Sequence, residues 1–275
     1  MAPGGRRGGH HHHVFNHVKD LQFEARPDGP DAAFARRLQE VLGGRWGELT
    51  LAHQYLFQGW GCRLPGKYRD LLLDVGTEEM AHVEMICVMI ARLLQDAPLS
   101  VQEAAAETDP VLAAVYGGSL PAQLIMAGGG PMPADSCGTP WSGAYVTASG
   151  NLLADFHLNV TAEAQSRLQL ARLFHMTDDP GVKQMLRFLL ARDTAHQTFW
   201  LRAIEQLKED GIADMPVPDA FPDAEDQRPD AEAYLVFSAG SQAQDLFGYA
   251  TRPSPAGPAP DPPAGDPRLY TAWEA

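Results

Sequence analysis

Cysteine is scarce in this chain, and nothing in its placement gives it structural work. Cys62, Cys87 and Cys137 are the whole set among 275 residues, an odd number at wide spacings with no CxxC pair. That pattern excludes a disulfide framework and a zinc ribbon, and it points to a reducing, cytoplasmic compartment. Cys87 lies in an apolar stretch and reads as a small buried hydrophobe. Positive charge is also short. Against 35 Asp and Glu there are 21 Lys and Arg, a formal net charge of −14. Nucleic acid and anionic membrane surfaces both require clustered basic residues, so neither is expected as a partner. Long apolar runs are missing too: no stretch approaches the roughly 18 residues of a membrane span. No apolar run follows Arg6 and Arg7, so no signal peptide is read, and the run His10–His13 is assigned no role.

What is present is the balance of a soluble globular protein, 45% hydrophobic and 20% charged, in a chain long enough to bury a substantial core. Residues 1–30 read as a polar, Gly-rich arm ending in a turn-like PDGPD. A helical pattern then runs from Asp31, a plausible N-cap, to about Cys62, where Leu64-Pro65-Gly66 interrupts it. A second helix is expected from about Lys67 to Leu94. Residues 97–142 break the rhythm with Gly128–Gly130, Pro131 and Pro133, and read as an irregular excursion with one short helix near Pro110–Tyr116. A third helix is expected from near Ser149-Gly150 to Met176. Thr177-Asp178-Asp179-Pro180 then stops and restarts the chain, and a fourth helix runs to about Glu209. Residues 211–275 are Pro- and Asp-rich, with seven prolines in 251–275, and read as an extended tail without its own core. The fold class is therefore all-α: a four-helix bundle over residues 31–210 with one long crossover.

Five residues on apolar stripes of these helices come out at one height. Glu79 and His82 share a face of the second helix with Leu72, Val75, Val83, Ile86 and Met89. Glu48 goes with Ala52 and Tyr55, Glu163 with Phe156, Val160 and Leu170, and His196 with Leu189, Phe199 and Trp200. A polar residue on such a stripe is costly unless something compensates it. Glu48 and Glu79 lie 17 and 14 residues from Pro65, about 26 and about 21 Å along their helices. Glu163 and Asp193 each lie 15 residues from Asp178, about 22 Å. The ferritin-like two-metal pattern asks for a Glu on each of two helices and Glu-x-x-His on each of the other two. Here the series is Glu48, Glu79-x-x-His82, Glu163, and Asp193-x-x-His196, with Asp in place of the last Glu. Glu78 and Glu84 are read as turned away from this site. His53, His157 and His175 have no partner at ligand spacing.

At GGRWGE (43–48), TEEMAHVEM (77–85), SGNLLADF (149–156), HMTDDPGV (175–182) and FLLARDTAH (188–196), the chain resembles the manganese catalases, a non-haem family of the ferritin-like superfold. The likeness spans roughly residues 31–205, and GDPRLY (265–270) extends it into the tail. The resemblance implies two manganese ions per chain, disproportionating hydrogen peroxide. Glu48 would bridge them, Glu79 and His82 would hold one, and Glu163 and His196 the other. Tyr55 matches a hydroxyl just outside the ligand set, and Asp70 and Asp74 match carboxylates that hold a structural calcium in some members. The family's hexamers imply a homo-hexamer here, with the tail wrapping a neighbour. Two positions depart from the family. Ala162 stands where some members have Arg, and Asp193, one methylene short, is expected just outside the metals as a proton carrier. The ligand set by itself leaves open a di-iron oxidase or oxygenase, and a metal-storage shell of the same superfold.

Overall fold

The computed structural model describes residues 17–96 and 121–212, together with the strands Ala233–Val236 and Ala250–Pro253. The chain forms two compact units, Met1–Ala213 and Asp214–Ala275.

The first unit is a helical bundle. Its opening limb is two helices, α1 (Ala32–Gly43) and α2 (Glu48–Gly61), where the sequence suggested one continuous pattern. The reason lies in the glycines between them. A Cβ on Gly43 would stand 2.5 Å from the backbone oxygen of Ala134, so the crossover segment passes where only glycine fits. Restarting the chain at Gly47 sets Glu48 in the first turn of α2, where the helix dipole favours a carboxylate. The second limb, α3 (Gly66–Leu94), matches its expected range to within a residue.

A short helix, α4 (Pro121–Ile125), lies in the described part of the crossover. Gln39 ties that segment down by donating to the carbonyls of Met132 and Ala134, each at 2.7 Å. α5 (Leu152–Phe174) starts after Gly150 at φ +79°, and Asn151 Oδ1 accepts from Ala154 N at 3.2 Å. α6 (Pro180–Glu209) occupies its expected range, with Asp179 Oδ1 capping Val182 N at 2.9 Å and Pro180 in the first turn. The helix expected near Pro110–Tyr116 lies outside the described residues.

α2 packs along α3, and α5 along α6, so the bundle is two helical hairpins joined by the crossover. Its apolar core sits toward one end, where Phe34, Leu38 and Leu42 of α1 meet Ile86, Met89 and Ile90 of α3 and Met185, Leu186 and Leu189 of α6. At the other end Trp200 packs on Tyr55 and stacks on Phe156. Between these two apolar zones lies a buried polar layer. Residues 17–30 lie against the helices of the same unit, with Phe23 stacked on Phe188 at 4.8 Å.

In the second unit the segment read as a plain extended tail pairs with itself. β1 (Ala233–Val236) and β2 (Ala250–Pro253) run parallel, with Ala233 opposite Ala250. Pro253 falls at the end of the ladder, where a missing backbone N–H is tolerated.

Candidate metal centre

Glu48, Glu79, His82, Glu163, Asp193 and His196 are all fully buried in the polar layer, at 0% exposure. Their ligand atoms gather into two groups: Glu48, Glu79, His82 and Asp193 in one, and Glu79, Glu163, Asp193 and His196 in the other. Within each group these atoms lie within 4.8 Å of one another. The five residues singled out from the helical heights are therefore brought together. Glu48 enters one group and Asp193 both, and so does Glu79. Its Oε2 is 2.7 Å from Nδ1 of His82 and its Oε1 is 2.8 Å from Nδ1 of His196. The two imidazoles lie nearly parallel, 5.6 Å between ring centres.

The shorter side chain of Asp193 does not keep it away, since its carboxylate belongs to both groups. One oxygen, Oδ2, accepts from Ser166 Oγ at 2.8 Å, and the other has no protein partner. Tyr55 donates to Glu163 Oε1 at 2.6 Å, and Trp200 Nε1 donates to the same oxygen at 3.3 Å. Asp70 and Asp74 are exposed on α3, and among the described residues no group of three ligands includes them. His157 and His175 are exposed, while His53 binds the carbonyl of Leu49.

Both oxygens of Glu48, Oε2 of Glu163 and Oδ1 of Asp193 are buried with no hydrogen-bond donor. Buried acceptors are ordinarily satisfied, and four such carboxylate oxygens converging in one layer call for positive charge. Burial, reinforced by Glu79, pushes the carboxyls of Glu48 and Glu163 well above the usual range. The same two causes bring Asp193 up to about 7. Burial acts on Glu79 as well, but His82 and His196 outweigh it and hold that carboxyl low. On the imidazoles burial acts downward, yet Glu78 and Glu79 raise His196 to about 10, and Glu79 and Glu48 raise His82. Two divalent ions would balance the four carboxylates charge for charge, so the residues fit a pair of metals.

Sequence reasoning misjudged Glu78. It turns inward at 20% side-chain exposure, and its Oε2 accepts from Nε2 of His196 at 3.0 Å. Arg192 on α6 is the cation that draws it in, with Nε donating at 2.6 Å. A carboxylate beside Glu79, with an arginine one position before Asp193, was the available signal.

Two overlapping carboxylate–histidine groups that could hold metal, inside a crossover four-helix bundle, define a ferritin-like metal-binding fold. Residues 14–249 match the model of the manganese containing catalase family. A manganese catalase of Bacillus subtilis is 55% identical over 231 residues, covering 84% of this chain and 83% of that one. A manganese catalase of Lactiplantibacillus plantarum is 43% identical over 268 residues, covering 94% and 98%. Among solved structures, a manganese catalase from Anabaena superposes with a TM-score of 0.66 at 26% identity, over 87% of this chain and 99% of that one. The chain belongs to the manganese catalase family.

Proposed function

We propose that this chain disproportionates hydrogen peroxide to water and dioxygen at a dimanganese centre. The observation that carries the proposal is the pair of buried ligand groups sharing Glu79 and Asp193, in a member of this family. In this reading Glu48 and His82 would hold one ion, Glu163 and His196 the other, and Glu79 would serve both. When bound, the two ions supply a two-electron store that one peroxide fills and the next empties. The protein's part is to hold and move protons. Asp193, anchored through Oδ2 by Ser166, has Oδ1 free to take a proton from an incoming peroxide and return it to a leaving oxygen. Tyr55 keeps its own proton, because burial and the charge of Glu163 raise its pKa, and so it steadies that carboxylate as a donor. The packed aromatics on one side and the α1–α3–α6 core on the other restrict water at the centre.

The test is direct. Purified from manganese-supplemented cells, the protein should carry about two Mn per chain, evolve oxygen from peroxide without a haem band, and regain activity after stripping with Mn better than with Fe. Recovery with Fe alone, accompanied by oxygen uptake, would overturn the proposal in favour of di-iron chemistry.

We place the chain in the cytoplasm as a homo-hexamer, its residues 211–275 laid across a neighbour. Supporting this are three free cysteines, no membrane-crossing helix among the described residues, and the exposed pair Phe57 and Trp60 on α2. Calcium at Asp70 and Asp74, one helical turn apart, is part of the same reading. A calcium chelator that leaves both metal content and oligomeric state unchanged would remove it.

A further inference from the structure

Each histidine of the centre turns Nδ1 inward, toward Glu79, and Nε2 outward. One side chain stands at both outer edges. Glu78 Oε2 accepts from His196 Nε2 at 3.0 Å, and Glu78 Oε1 lies 3.8 Å from His82 Nε2, a buried nitrogen with no other partner. The near-parallel rings, 5.6 Å apart, set both outer nitrogens toward this one carboxylate, which is hydrogen-bonded to His196 and within ion-pair distance of His82. Glu78 is itself held in place. Arg192 Nε donates to Oε1 at 2.6 Å and Nη2 donates to Oε2 at 3.1 Å, while Gln22 adds a bond to Oε1 at 2.8 Å. Glu78 thus belongs to a braced arrangement spanning α3, α6 and the N-terminal arm.

We propose that Glu78 is a positioning residue for both metal-binding histidines, the shared outer carboxylate that sets their tautomer and aims Nδ1 at the metals. The proposal rests on the dimanganese reading and deepens it. A ring N–H directed at an anion leaves the lone pair on the opposite nitrogen, facing the centre, and makes that nitrogen a better donor. Usually each metal-binding histidine has its own partner. Here one side chain serves two rings from adjacent helices, so a change at position 78 acts on both metal positions together. Arg192 neutralises this fifth carboxylate, and the balance between the other four and two divalent ions is undisturbed.

The competing explanation is that Glu78 and Arg192 merely clamp α3 to α6. Two substitutions separate the cases. Glu78→Ala removes the acceptor, whereas Glu78→Gln abolishes the ion pair but keeps an oxygen that can accept from the imidazoles. With manganese-loaded hexamer or whatever assembly the full chain forms, release of Mn to EDTA should be about 10–100-fold faster in Glu78→Ala than in the parent. Glu78→Gln should recover most of that retention, and Glu84→Ala, which loses a carboxylate paired with His17, should match the parent. Circular dichroism should be unchanged throughout. Equal release from Glu78→Ala and the parent would overturn the proposal. So would release from Glu78→Gln as fast as from Glu78→Ala, because the ion pair would then be what counts. A parent chain that binds no manganese would instead refute the dimanganese reading, and this assignment with it.

Discussion

Stripping manganese from the protein should turn its stability against rising pH, and the sign follows from which state holds more protons. Asp193 titrates near 3.8 in an unfolded chain and at about 7 in the folded, metal-free site. A raised pKa means that its stabilisation is complete below the unfolded value and is lost as pH climbs through the folded one. That gap amounts to about 4 kcal/mol. His196 continues the trend, with an ordinary value of 6.5 raised to about 10, or about 5 kcal/mol lost across that higher window. Glu48, Glu163 and His82 are shifted the same way. Glu78 and Glu79 are shifted downward, so their contribution is present above about 4.5 and is lost only in acid. Between about pH 5 and pH 9, metal-free protein should therefore lose stability steadily, by roughly 1.4 kcal/mol per pH unit for each group caught between its unfolded and folded values. Manganese displaces those protons, so the stabilisation it confers should grow over the same range. Urea unfolding of metal-free and Mn-loaded protein at several pH values measures both slopes. Metal-free protein whose stability is flat or rises from about pH 5 to pH 9 would refute the electrostatic account of the site.

Asp193→Ala should keep close to two metals per chain while peroxide turnover falls about 10²–10⁴-fold, whereas His196→Ala should lose metal outright. Elemental analysis showing one metal in Asp193→Ala would make Asp193 a ligand rather than a proton carrier. Tyr55→Phe removes a buried charge-assisted bond of 2.6 Å and should cost about 1.5–3 kcal/mol in urea unfolding. At Gly181 an added Cβ would stand 1.6 Å from the carbonyl oxygen of Arg26, so Gly181→Ala should lift the arm off α6. Limited proteolysis within residues 17–30 should quicken, with a stability loss of about 1–3 kcal/mol.

Much of this was legible in the sequence because helices carry their registry on their surface. The cap-and-proline signal at Asp179-Pro180 marked the start of α6, and counting from Pro65 and Asp178 put the ligands at one height before any packing was known. What escaped was tertiary in origin. The break between α1 and α2 answers to a backbone passing at Ala134, nearly ninety residues away, and leaves only glycines as its trace. Glu78 lies off the apolar stripe by its spacing, yet Arg192 from another helix draws it to the histidines. Side-chain length alone sets Asp193 apart from the metals, yet its carboxylate lies among the candidate ligand atoms of both groups. The pairing of β1 with β2 joins two short segments of a Pro-rich region whose composition argued for an extended tail without a core of its own.

The division of the bundle into two hairpins has a mechanical consequence. Contacts within α2–α3 and within α5–α6 join near neighbours in the chain, so each hairpin can form early and alone. Neither then contains a finished metal position. The group built on Glu48, Glu79 and His82 borrows Asp193 from the other hairpin, and the group built on Glu163, Asp193 and His196 borrows Glu79. A metal pair held there is a staple across the two halves, closing a chain whose covalent link between them is the long crossover. Lengthening such a link costs little, about 0.6 kcal/mol for each doubling. Outside the stretch that Gln39 and Gly43 fix, the crossover can lengthen at little cost, while metals held there would add to the apolar core of α1, α3 and α6 in joining the halves.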